Sequence, residues 1–141
     1  MIGRIFQEEA VENTRERNFI CAPGGMGDLP FSNAVVAGDT LYLGGHIGFD
    51  PATRKVPAEV EQEARLVLDS IRDTITRAGF SMQNVVSLTI YCPDLSAYDT
   101  FNKVYRTYFR APFPSRAFIG SGPLLLGARF EIQGIAVTQA S

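Results

Sequence analysis

Three side chains have the chemistry and the sequence setting to act on a small molecule: Arg116, Glu131 and His46. Arg116 opens an apolar run directly after Phe113-Pro114-Ser115. A guanidinium held behind a proline turn can grip a carboxylate with two parallel hydrogen bonds. A strand-end arginine in water is the competing reading. Glu131 stands between Phe130 and Ile132, in the middle of an extended run. Carboxylates are uncommon inside strands, and one placed there can orient or deprotonate a water. An ordinary exposed-face residue paired with Arg129 or a neighbouring strand fits the residues equally well. His46 follows two glycines and can carry a proton near neutral pH, or sit in a turn with no chemical role.

The elements that must position these residues follow from periodicity. Asn33–Ala37 and Thr40–Gly44 are short apolar runs split by Gly38-Asp39, the pattern of a tight hairpin. Apolar residues occupy consecutive positions in both runs, so both faces of this hairpin need cover, and a second copy of the chain is the simplest cover. Asp50-Pro51 marks a turn. Residues 58–78 read as a helix with Val60, Ala64, Val67, Leu68, Ile71, Ile75 and Ala78 on one stripe. Glu61–Arg65 and Asp73–Arg77 form i,i+4 pairs on its outer face, and Gly79 is placed to cap its end. Residues 84–92 form a strand. A second helix is expected over 96–109, with Ser96 and Asp99 as a capping box and an aromatic stripe of Tyr98, Phe101, Val104, Tyr105, Tyr108 and Phe109 that reads as core. Strands follow over 115–121 and 128–138; in the latter Phe130, Ile132 and Ala136 face one way and Arg129, Glu131 and Gln133 the other.

The resulting order is β-β-α-β-α-β-β, with room for one short strand near the N-terminus: an α+β domain with two helices on one face of a mixed sheet. A chain of 141 residues with 45% apolar composition suits one domain, here 1–141, with 1–29 an irregular lead-in rich in turn formers over Ala22–Pro30. Net charge of −2 and the lack of any basic run argue against a nucleic-acid partner. No stretch is long and apolar enough for a bilayer, and the N-terminus does not read as a signal peptide, so a cytoplasmic protein is expected. Cys21 and Cys92 fit two reduced thiols, and a single histidine makes a zinc site a poor fit.

The chain resembles the RidA (reactive intermediate deaminase, YjgF-type) family over residues 20–138. The resemblance is carried by Pro30-Phe31-Ser32-Asn33-Ala34, Leu41-Tyr42-Leu43-Gly44-Gly45-His46-Ile47, Asp50-Pro51, Val56-Pro57-Ala58, Tyr105 to Phe109, Phe113-Pro114-Ser115-Arg116 and Phe130-Glu131-Ile132-Gln133-Gly134-Ile135-Ala136-Val137. It implies a chorismate-mutase-like fold, a homotrimer with ligand clefts between subunits, and hydrolysis of reactive 2-imino or enamine acids to 2-keto acids. A non-catalytic keto-acid or amino-acid binding trimer is the alternative, and RNA cleavage a further one. Arg116 is implied as carboxylate anchor and Glu131 as the residue that activates water, with Phe31, Gly44, Phe118, Asn102 and His46 around the substrate. No metal or organic cofactor is implied, because an imine carbon is already electrophilic. The chain departs from the family pattern at three of these positions: Phe31 replaces a tyrosine, Gly44 a serine, and Phe118 a common cysteine, whose larger ring is expected to narrow the cleft.

Overall fold

The computed structural model describes residues 16–21 and 29–138. These form strands β1 (Arg17–Ile20), β2 (Ala34–Ala37) and β3 (Thr40–Ile47), helix α1 (Val60–Arg77), strand β4 (Val85–Cys92), helix α2 (Tyr98–Tyr105), and strands β5 (Ser115–Gly120) and β6 (Glu131–Val137). The six strands make one sheet in the order β1-β2-β3-β6-β4-β5. Every pairing is antiparallel except β4 with β5. The mixed α+β architecture expected from the sequence is what forms. The short N-terminal strand is β1, within the lead-in otherwise expected to be irregular; most of the Ala22–Pro30 loop lies outside the described residues.

The β2–β3 hairpin turns through Gly38-Asp39, with Ala37 opposite Thr40 and Gly38 at φ +63°, a conformation that only glycine adopts without strain. Helix α1 lays Ala64, Val67, Leu68, Ile71 and Ile75 on the sheet, each fully buried. Each large aliphatic side chain among them contributes about 1.5–3 kcal/mol of burial. The Glu61–Arg65 and Asp73–Arg77 pairs form at 2.8 and 3.8 Å. Gly79, at φ +83°, ends the helix, its N–H bonded to the Thr76 carbonyl.

Helix α2 is shorter than expected. The chain enters it through a 3-10 turn at Leu95–Ala97 and leaves the helix after Tyr105. No Ser96–Asp99 capping box forms; the Asp94 carboxylate instead accepts from the Ser96 N–H at 2.9 Å. An aspartate two residues earlier therefore caps the 3-10 turn that leads into α2.

Helix-facing residues of the sheet include Leu41, Leu43, Leu88, Ile90, Ile132 and Ala136, all buried. The opposite face carries Tyr42, Val86 and Ile135, which are 51%, 46% and 36% exposed. Tyr42 and Ile135 are direct cross-strand partners, so these apolar groups lie next to one another with no layer over them among the described residues.

A buried ion pair joins α1 to the start of β6. The fully buried Glu63 carboxylate accepts from the Arg129 guanidinium at 2.8 Å, the Arg129 N–H at 2.6 Å and the Phe130 N–H at 3.3 Å. Arg129 also donates to the Pro57 and Ala58 carbonyls. Arg129 thus pairs across to the helix rather than with its strand neighbour Glu131.

Candidate functional site

Arg116 lies on β5, opposite the buried Leu88 of β4, so it points to the helix-covered side. Its guanidinium carbon sits 4.8 Å from the Tyr105 ring centre, 5.7 Å from Tyr98 and 5.5 Å from Phe118. The rings stabilise the cation but present no carboxylate. Among the described residues no acid pairs with it, so its N–H donors remain available.

A cavity of about 200 Å³ opens at this point, lined by Arg116, Asn102, Tyr98, Tyr105, Arg106 and Phe113, with Pro114 at the turn. The sequence reading placed Arg116 and Asn102 at one site, and they share this cavity. Phe118 does not line it. Its ring packs edge-on to Tyr98 at 5.0 Å and to Phe101 at 5.5 Å, so the expected narrowing of the cleft by Phe118 is replaced by core packing.

Tyr105 is the residue that the sequence assigned to core alone. It is 4% exposed, yet it lines the cavity, and among the described residues its hydroxyl has no partner within hydrogen-bond geometry. Burial pushes its pKa up, and the neighbouring Arg116 draws it partly back. A neutral hydroxyl beside a guanidinium can accept from the arginine and still has a proton to donate to an anion. Arg106, one position after Tyr105 at the end of α2, also reaches the cavity. Helical spacing marked the stripe as apolar and gave no signal that its end opens on a pocket.

Glu131 begins β6 beside Ile132, whose side chain is buried under the helices. Strand alternation sends Glu131 to the opposite face from Arg116. A Cβ built on Gly45 would lie 3.1 Å from the Glu131 carboxyl carbon and 3.2 Å from Oε2, so the glycine makes room for the carboxylate. Gly44 makes similar room for the preceding loop: a Cβ there would meet the Ser32 and Asn33 carbonyls at 3.1 and 3.2 Å. Phe31 starts that loop and is 60% exposed. Phe31, Gly44 and Glu131 thus belong to the sheet end around β3, apart from the Arg116 cavity.

His46 does not join either group. It is buried, with Nδ1 2.7 Å from the Gly44 carbonyl and Nε2 3.0 Å from the Thr74 hydroxyl. A carbonyl only accepts, so Nδ1 carries the hydrogen and Nε2 accepts from Thr74. Burial lowers its pKa below the usual 6.5, and the Gly44 carbonyl offsets part of that. Expected at the substrate, His46 instead clasps the β-bulge between Leu43 and His46, with both nitrogens occupied. Cys92 is buried and Cys21 exposed, both free. Among the described residues no group of acids, histidines and cysteines is placed to hold a metal, and no helix is long and apolar enough to cross a membrane.

A six-stranded mixed sheet under two helices, with an aromatic-backed arginine at its parallel edge, defines an α+β sheet-and-helix class. The Endoribonuclease L-PSP family model matches residues 26–138. The chain is 39% identical over 117 residues to the 2-iminobutanoate/2-iminopropanoate deaminase of Bos taurus, covering 82% of this chain and 84% of that protein. The Homo sapiens protein of the same name is 36% identical over the same shares. The fold superposes on the crystal structure of RidA from the Antarctic bacterium Psychrobacter with a TM-score of 0.74 and 30% identity, covering 84% of this chain and 94% of that one. This chain belongs to the Endoribonuclease L-PSP family, that of the YjgF and RidA proteins.

Proposed function

We propose that the protein hydrolyses the C=N bond of small 2-imino acids, yielding 2-keto acids and ammonia. The observation that carries this is Arg116, a guanidinium backed by three aromatic rings, with no acid among the described residues to neutralise it and a cavity at its donors. A 2-imino carboxylate supplies the missing anion. The names of the bovine and human relatives specify deamination of such imines.

In this reading Arg116 grips the substrate carboxylate. Glu131 takes a proton from a water as its oxygen adds to the imine carbon. Glu131 passes that proton to the nitrogen, giving a carbinolamine; the carbinolamine hydroxyl proton then moves to the amine as the C–N bond breaks, so ammonia leaves and a keto group remains. Arg116 and Glu131 lie on opposite faces of one sheet, so one copy cannot apply both to the same small molecule. The reaction then requires a cleft between copies, Arg116 from one facing Glu131, Gly44 and Phe31 of the next. The uncovered apolar face of Tyr42, Val86 and Ile135 supports such an assembly. The chorismate-mutase-like homotrimer is the form we assign.

The test is Arg116→Ala with 2-iminobutanoate generated in situ. Loss of two charge-assisted hydrogen bonds should lower kcat/KM by about 100-fold or more. Ammonia release unchanged in a variant of wild-type oligomeric state would sink the mechanism. Phe31, which has no hydroxyl to offer, favours a second reading, a keto-acid-binding trimer without turnover. Calorimetry with a 2-keto acid panel beside the turnover assay separates the two.

A further inference from the structure

Two guanidiniums line the Arg116 cavity, and no acidic side chain among the described residues does. The chain as a whole carries a net charge of −2, so this local excess of two positive charges does not reflect overall composition. Four other arginines, Arg65, Arg72, Arg77 and Arg129, each have a carboxylate within 4 Å. Among the described residues Arg17, Arg54, Arg106, Arg110 and Arg116 have none, and of these only Arg106 and Arg116 line the cavity. Aromatic rings hold them instead: Arg116 over Tyr105 at 4.8 Å, Arg106 over Phe113 at 5.7 Å, with those two rings stacked 6.4 Å apart. This ladder fixes two cations without satisfying their donors. Like charges on one small cavity repel, and a bound anion relieves that repulsion. A monoanion neutralises one of them; a dianion neutralises both. The partnerless Tyr105 hydroxyl adds a third donor, and the Asn102 amide lies on the same wall.

We propose that this cavity selects 2-imino acids bearing a second carboxylate, such as 2-iminoglutarate, with Arg116 on the carboxylate beside the imine and Arg106 on the distal one. The proposal rests on the imine-hydrolase reading and names its substrate class. Arg106 is the specificity residue and takes no part in the chemistry.

The test measures binding of 2-oxoglutarate and 2-oxobutyrate to the full chain by calorimetry, and kcat/KM for the two corresponding imines. Wild type should favour the five-carbon dicarboxylate, and Arg106→Gln should weaken the dicarboxylate about five-fold or more beyond any change it makes in the monocarboxylate. The preference should shrink as salt is raised, because Arg106 is exposed. Arg116→Ala should weaken both ligands. No binding of 2-oxoglutarate, equal affinity for the two acids in wild type, or equal weakening of both by Arg106→Gln overturns the proposal. Dicarboxylate-selective binding with no ammonia release from either imine would instead remove the hydrolase reading and leave the dianion site standing. Turnover without preference would do the reverse.

Discussion

Removing the Tyr105 hydroxyl should make the fold more stable and the site worse. The side chain is 4% exposed and its hydroxyl has no hydrogen-bond partner. In the unfolded chain that hydroxyl is fully hydrated, whereas in the fold only the Arg116 guanidinium stands beside it, so folding forfeits hydrogen bonds at a cost of about 1–3 kcal/mol. The ring itself is well used, packing against Phe101 at 5.9 Å and Phe109 at 4.6 Å, and Tyr105→Phe keeps it. The substitution should therefore raise stability by about 1–2 kcal/mol. For a domain of this size that is a rise in Tm of about 3–8 °C. Thermal and urea unfolding at one fixed protein concentration measure it, because an oligomer's stability depends on concentration. The same variant loses a donor beside Arg116, so affinity for a 2-keto acid should fall by about ten-fold. A stability gain coupled to an affinity loss is the signature of a polar group kept for a ligand. Destabilisation by about 1 kcal/mol or more would show that the hydroxyl is already bonded in the free protein, and would refute the argument.

Three further tests probe the frame around the site. His46 has a lowered pKa, so the unfolded chain takes up its proton first and stability falls as pH drops below 6.5 toward the folded value. The slope is at most about 1.4 kcal/mol per pH unit, and His46→Gln should remove this component from unfolding curves taken across that window. Glu63→Ala leaves the Arg129 charge and two backbone N–H groups without their acceptor; unfolding should show a loss of about 3–5 kcal/mol, and a loss under 1 kcal/mol would contradict the buried pair's role. Gly45→Ala places a methyl 3.2 Å from Glu131 Oε2 and should push the carboxylate aside. We expect kcat to fall about ten-fold with keto-acid affinity kept; wild-type kcat would argue against Glu131 as the group that handles water.

Periodicity determined most of the scaffold. A 3.6-residue stripe identified α1, two-residue alternation assigned the faces of β6, and Gly38-Asp39 marked the hairpin, because each depends on neighbours close in sequence. Arg116 and Glu131 were visible as residue types in unusual settings, and alternation also sent Glu131 away from the core-facing Ile132. What sequence spacing could not decide was which distant groups meet. His46 looked available until Thr74 of α1, 28 positions away, closed on its second nitrogen. Arg129 looked like a partner for Glu131 until Glu63, 66 positions away, took it. Tyr105 read as core, and Arg106 carried no signal at all, until β5 came beside β4 and set Arg116 against the same rings. Those contacts arise from the order in which strands enter the sheet. Only the tertiary structure sets that order, and with it the separation of Arg116 and Glu131 by the thickness of one sheet.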